Sequence, residues 1–237
     1  MKLLRVVMVL AVIIAVTIGI AVAQAPQGPG AGAGAPGAGA PGGGQGRGGG
    51  APGGGGQGRG QRGPAFSVTS TAWPDGGEVP MKHAGRGENK SPAFDFKWYA
   101  PGGTTATDQP ANVQSFAVIF HDAENSTNRG TADTLHWMAW DIPATAKGLP
   151  EGLAQGDLPD GTRQSTTNVG QRGGYFGPGA GPGPFHHYIF EFYALDAKLN
   201  LPNTATRQEV LAAMEGKIVG KSVFVGRFRG MPAQPAQ

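Results

Sequence analysis

From Gln24 to Pro64 the chain runs for 41 positions with 20 Gly and 6 Pro, and no residue there is able to build a hydrophobic core. Such a segment has nothing apolar to offset the entropy of ordering its backbone. Whatever folds must therefore follow it, which leaves one domain from 65 to 230 and a short tail from 231 to 237 in a chain of 237 residues. Ala40–Gly48 (APGGGQGRG) and Ala51–Gly60 (APGGGGQGRG) form an imperfect tandem repeat. Its glycines keep no strict third-position period, so collagen is a poor reading and a flexible tether a better one. As a random coil it would span roughly 35 Å. A chain shortened to begin near Ala65 is expected to melt at the same temperature as the mature protein. A drop of more than a few degrees in a calorimetric scan would show that the tether packs on the domain.

The first 23 residues have the features of an export leader. Lys2 and Arg5 supply a charged start, an apolar run follows from Val6, and Ala21-Val22-Ala23 offers a small-x-small cleavage pattern before Gln24. The run from Val6 to Ala23 is 18 residues long, which is also the threshold length for a membrane span. Cleavage gives a periplasmic or secreted protein; retention gives one anchored at the membrane. Cysteine is absent, which excludes disulfides, thiolate metal sites, a cysteine nucleophile and a lipid anchor on Cys.

The net charge of +3 suggests nucleic acid until the charges are located. Lys2, Arg5, Arg47, Arg59 and Arg62 precede the folded part, and all 16 acidic residues follow Pro64. Removing those five cations from 19 leaves 14 against 16, a formal charge of −2 for the domain. A basic groove for nucleic acid is not expected on such a surface.

Beyond Pro64, short runs rich in β-branched and aromatic residues alternate with Gly, Pro, Asp and Asn. Phe66–Thr71, Ser115–Phe120, Leu135–Ile142, His187–Leu195 and Lys221–Arg229 each suit a strand. Thr206-Arg207-Gln208-Glu209 is a capping box. It opens a helix with Val210, Leu211 and Met214 as its apolar stripe and Gly216 as its stop. Many strands and one or two small late helices point to a mainly β fold, an antiparallel β-sandwich.

Candidate chemistry gathers at two strand ends. One is His121-Asp122-Ala123-Glu124 after the SFAVIF run, with His136 beyond it; the other is the glycine-rich loop Gly173–Pro178 leading into His186-His187-Tyr188. A glycine loop can expose backbone N–H groups to an anion, imidazoles can donate to it, and a nearby carboxylate can orient an imidazole. Taken singly, His136 reads as a core residue, Asp122 as a turn cap and the glycines as turns.

In order along the chain come the Phe116–Phe120 strand, Asp122 with Glu124, His136-Trp137, Ile142-Pro143, Leu149–Gly152, Gly174–Pro178, His186–Tyr188 and Tyr193–Asp196, with Ser91-Pro92 and Trp98 upstream. This order resembles the phosphatidylethanolamine-binding family, also called Raf-kinase-inhibitor-like, in its bacterial form. The resemblance implies a β-sandwich with a small pocket for a phosphate-like or carboxylate anion. It places Asp122, His136, His186 and Tyr188 on the wall, Glu124 beside them, Gly174 and Gly177 as backbone donors, and Trp137, Tyr175 and Phe176 on an aromatic rim. The family's first motif, Asp-Pro-Asp-Ala-Pro, is here Asp122-Ala123-Glu124-Asn125-Ser126 with neither proline, and Asn125 to Thr134 reads as a long loop.

The leading expectation is thus a non-catalytic binding protein for a small anionic ligand, with no cofactor, no resident metal and no catalytic residue, and with membrane contact only through an uncleaved leader. Two alternatives stand beside it. An inhibitor-like regulator of a protease or kinase is allowed by the resemblance. A metal-assisted hydrolase is allowed by Asp122, Glu124, His136 and His186, all acceptable ligands for a divalent ion.

Overall fold

The computed structural model describes residues 63–171 and 173–231. The leader, the tether as far as residue 62 and the tail from residue 232 lie outside the described residues.

The chain builds nine strands among the described residues: β1 (Ala65–Thr69), β2 (Gly77–Glu78), β3 (Phe94–Tyr99), β4 (Ser115–Ser126), β5 (Asp133–Pro143), β6 (Gly148–Leu149), β7 (Arg163–Gln164), β8 (His186–Leu195) and β9 (Ile218–Phe228). They form a small sheet in the order β1-β3-β6 and a large one in the order β2-β9-β8-β4-β5-β7. All neighbours are antiparallel except β2, which runs parallel to β9.

Side-chain alternation explains the layering. Phe116, Val118 and Phe120 of β4, and Tyr188, Phe190 and Phe192 of β8, face the small sheet, where they meet Phe66, Phe94, Phe96 and Trp98. The aromatic contacts are close: Phe120 stacks on Phe190 with centroids 3.8 Å apart, and Phe94 meets Phe192 edge to face at 4.8 Å. The intervening residues Ala117, Ile119, Tyr193 and Leu195 face the other way, joining Met138 and Trp140 of β5 and Val210 and Met214 of the helix in a second core. Because β4 is buried on both faces, its first half reads as an unbroken apolar run rather than an alternating one.

The helix α1 (Arg207–Met214) carries the expected capping box. The Thr206 hydroxyl accepts from the Glu209 amide at 3.3 Å, and the Glu209 carboxylate accepts from the Thr206 amide at 2.8 Å. Gly216 follows with φ +74°, the left-handed conformation that glycine adopts freely. Two details differ from expectation. Leu211 turns outward and is exposed, so the buried stripe is Val210 and Met214. α1 is the α-helix of the described residues; the other helical piece is a single 3₁₀ turn at Met81–His83.

The strands also outrun their sequence limits. β4 continues through His121–Ser126 and β5 begins at Asp133, so the supposed long loop from Asn125 to Thr134 is the tip of a hairpin, closed by Thr127 N–H to Ala132 C=O at 2.7 Å. Polar residues there still pair on both sides, Asp122 with Thr134 and with Tyr188. β3 was not anticipated, although its sequence FDFKWY alternates buried and exposed residues cleanly.

Candidate functional site

A cavity of about 330 Å³ opens where β4 and β8 leave the core. Among its walls are Asp122, His136, His186, Tyr188, Phe176 and the backbone from Gly179 to Gly181. Four of the residues expected at a site therefore meet around one space.

Register puts them there. On β8, His186 and Tyr188 share a face with Phe190, so the strand that fills the core with aromatics supplies polar groups once it passes the core edge. On β5 a bulge does the work: Phe120 pairs with Trp137 but His121 pairs with Leu135, which leaves His136 as the extra residue. A bulge turns its extra side chain away from simple alternation, and His136 lies among the cavity walls.

Each group is then fixed by hydrogen bonds. Asp122 is 2% exposed. Its carboxylate accepts from the Glu124 and Asn125 amides at 3.1 and 3.2 Å and faces His186 Nδ1 at 2.8 Å. His136 is 4% exposed, and its Nδ1 meets the Phe176 carbonyl at 2.9 Å. An imidazole facing a carbonyl must be the donor, so Nδ1 carries a proton and Nε2 is the free ring nitrogen. The same holds for His186, whose Nδ1 donates to the carboxylate. The Tyr188 hydroxyl accepts the amides of Gly179 and Ala180 at 3.2 and 3.1 Å.

Burial pushes the His136 pKa below the usual imidazole value, against the pull of the Phe176 carbonyl and the Asp122 charge. The neutral ring is thus favoured in the empty site. Burial, helped by the Asp122 charge, lifts Tyr188 far above the ordinary phenol range, so its hydroxyl stays protonated.

Other expected residues sit elsewhere. Glu124 is exposed and grips its neighbour strand, taking His187 N–H and Nδ1 at 2.6 Å each. Burial raises its pKa, but those two bonds outweigh it and leave the carboxyl below its usual value. Gly174 and Gly177 do not reach the cavity wall. The Gly177 amide donates to Asn89 Oδ1 at 2.8 Å, and the Gly174 carbonyl accepts from Asn168 Nδ2 at 2.6 Å. Their glycines answer to packing: a Cβ on Gly177 would stand 2.0 Å from the His83 carbonyl oxygen, and one on Gly174 2.7 Å from Gln155 Oε1. Trp137 and Tyr175 are core, not rim. The Trp137 indole donates to Gln164 at 2.8 Å and the Tyr175 hydroxyl to the His83 carbonyl at 2.7 Å. Phe176 alone of the three aromatics lines the cavity.

Sequence reasoning missed the residues that hold the walls. Asn168 donates to the carbonyls of His136 and Gly174, tying the bulge to the glycine loop. Asn89, at φ +52°, braces the same loop from the far side. Nothing local marks either as special, since both bonds span distant segments. A larger and more open depression of about 650 Å³ lies between Asp141, Asp157, Arg163 and Lys198. Three of these four charges are engaged in structure: Arg163 pairs with Asp157 at 2.5 Å, and Asp141 caps the Leu199 and Asn200 amides.

The domain is thus a β-sandwich of two sheets with a small, walled cavity at one strand end. The phosphatidylethanolamine-binding protein family profile matches residues 69–229, and the chain belongs to that family, one of binding proteins. A relative from Methanothermobacter thermautotrophicus, a UPF0098 protein, is 33% identical over 164 residues, covering 69% of this chain and 98% of its own. The putative lipoprotein LppC of Mycobacterium tuberculosis is 30% identical over 166 residues, covering 69% and 72%. The crystal structure of a homologue of the same family from Chlamydia trachomatis, CT736, superposes with a TM-score of 0.58 at 26% identity, covering 69% of this chain and 97% of its own.

Proposed function

We propose that this protein binds a small phosphate-like or carboxylate anion, such as a lipid head group, outside the cytoplasm and without catalysing a reaction on it. The observation that carries the reading is the pairing of two imidazoles around one cavity, each with Nδ1 engaged and Nε2 free. Protonated at Nε2, each becomes a charge-assisted donor to an anion. The Asp122 carboxylate fixes the orientation of the His186 ring through Nδ1. Phe176 and the Gly179–Gly181 backbone limit the size of what enters. A cavity of about 330 Å³ suits a head group rather than a whole lipid.

Placement outside the cytoplasm is supported by the leader-like first 23 residues and by the lipoprotein name of the mycobacterial relative. No helix among the described residues is long and apolar enough to cross a membrane.

The test is the pH dependence of anion affinity. His136 must take up a proton to donate, and its pKa is depressed, so binding strengthens as pH falls toward that depressed value. In calorimetric titrations with sulfate, whose charge is constant over the range, affinity is expected to weaken by roughly tenfold per pH unit above the pKa of the empty site. Affinity that stays flat from about pH 5 to about pH 8 would remove protonated imidazoles from the binding step.

The same shift has a stability consequence of defined sign. The unfolded chain holds the His136 proton more tightly than the folded one, so the empty protein loses stability as pH falls below the ordinary imidazole value. Bound anion offsets that loss.

A further inference from the structure

We infer that Asp122, Glu124 and His186 form a binding site for a divalent first-row transition ion at the rim of the cavity. Among the described residues this cluster brings one ligand atom from each of the three side chains within 4.8 Å of one another.

The two strands put the groups in reach. β4 and β8 pair through Asp122 and Tyr188, so Glu124 and His186, each two residues further along, flank that pair at the open end. His186 Nδ1 already lies 2.8 Å from one Asp122 oxygen and 3.1 Å from the other. An ion that sits about 2.0–2.2 Å from nitrogen and oxygen ligands fits between such atoms after a small spreading of the side chains. Two carboxylates and one imidazole make a donor set of intermediate hardness, suited to Zn²⁺ and its neighbours rather than to a thiophilic ion.

The outer contacts are those that orient metal ligands. Asp122 is buried and steered by the Glu124 and Asn125 amides; Glu124 is steered by the His187 amide and ring. Three protein ligands would leave an open position. His136, 96% buried by its 4% exposure, lines the adjoining cavity with Nε2 unpartnered, and the Tyr188 hydroxyl lies beside it. These are groups placed to meet whatever fills the open position.

Charge points the same way. Two carboxylates stand at the rim. A divalent cation balances those carboxylates. Coordination through Nδ1 of His186 puts that ring's proton on Nε2, which turns the ring into a donor toward the cavity. This ion site goes beyond the anion reading and does not require it.

The experiment is a calorimetric titration of untagged, chelator-stripped full chain with zinc chloride. One equivalent is expected to bind. Glu124→Gln and His186→Ala should each weaken it by roughly ten- to a hundredfold or more, and Lys147→Ala, on an exposed turn, should not. Crystals grown with zinc should show an anomalous peak among the three side chains. No binding to the wild type, or equal binding after Glu124→Gln with the variant folded by circular dichroism, overturns the site. A parallel sulfate titration in chelator reports on the anion reading separately: zinc binding without sulfate binding upholds the ion site, and sulfate binding without zinc binding removes it.

Discussion

Phe120→Ala is expected to destabilise the domain by about 3–5 kcal/mol, the range for removing a fully buried aromatic side chain. Phe120 is 0% exposed, stacks on Phe190 at 3.8 Å and on Tyr175 at 5.4 Å, and touches the His136 ring at 5.5 Å. Its neighbours come from β5, from β8 and from the glycine loop, so no single element can move in to fill the space. For a domain of this size the loss corresponds to a fall in melting temperature of roughly 10 °C. Phe120→Leu, which keeps most of the volume, should recover more than half of it. Equal melting of wild type and Phe120→Ala would mean that the centre of the sandwich is not packed as described. The ring also forms the floor beneath His136, so anion affinity should fall in the same variant.

Removing either histidine has the largest expected effect on binding. His136→Ala and His186→Ala each delete one charge-assisted donor, about 1.5–3 kcal/mol or roughly ten- to a hundredfold in affinity. The two should differ in stability. The His186 side chain is 30% exposed, and its loss leaves the buried Asp122 with its two amide donors but without its ring partner. His136 is buried and anchors the Phe176 carbonyl, so its removal also opens a gap beside Phe120 and Tyr188. His136→Ala should therefore melt lower than His186→Ala when calorimetric scans are compared at about pH 8, above the ordinary imidazole value. The reverse order would contradict the assignment of His136 as the packed member of the pair.

Much of the sandwich is written in local pattern. SFAVIF is apolar throughout because β4 has a core on each face, and the aromatic run of β8 alternates between the two cores as a central strand must. The capping box at Thr206 announces α1 by itself, since the two bonds that define it lie within one turn. β3 was equally legible in FDFKWY, a clean alternation of large and polar residues. The limits of β4 were not, because His121–Ser126 are polar and gain their place from partners on both sides rather than from their own composition.

The site shows the same division. Asp122, His136, His186 and Tyr188 meet around one cavity, the grouping that the family resemblance implied. What the sequence could not carry is orientation. His136 turns toward the cavity through a one-residue slip against β4, a property of the pairing and not of either strand. Without that slip His136 would pair with His121 and face away from the cavity; Trp137 pairs with Phe120 inside the core, buried and bonded to Gln164. Glycines in Gly174–Gly177 suggested backbone donors, yet a Cβ on Gly177 would meet the His83–Gly85 backbone and one on Gly174 the Gln155 side chain. The Glu124 pairing with His187 follows from a strand neighbour that no short motif names.

The most direct test of the binding reading is nitrogen NMR of the five imidazoles in labelled protein, titrated with O-phosphorylethanolamine at about pH 6. The Nε2 signals of His136 and His186 are expected to move together toward the protonated value and to saturate at one equivalent, while His83, whose Nδ1 is tied to the Lys90 carbonyl, stays still. Saturable binding that leaves both of those Nε2 signals unmoved would place the ligand elsewhere on the molecule.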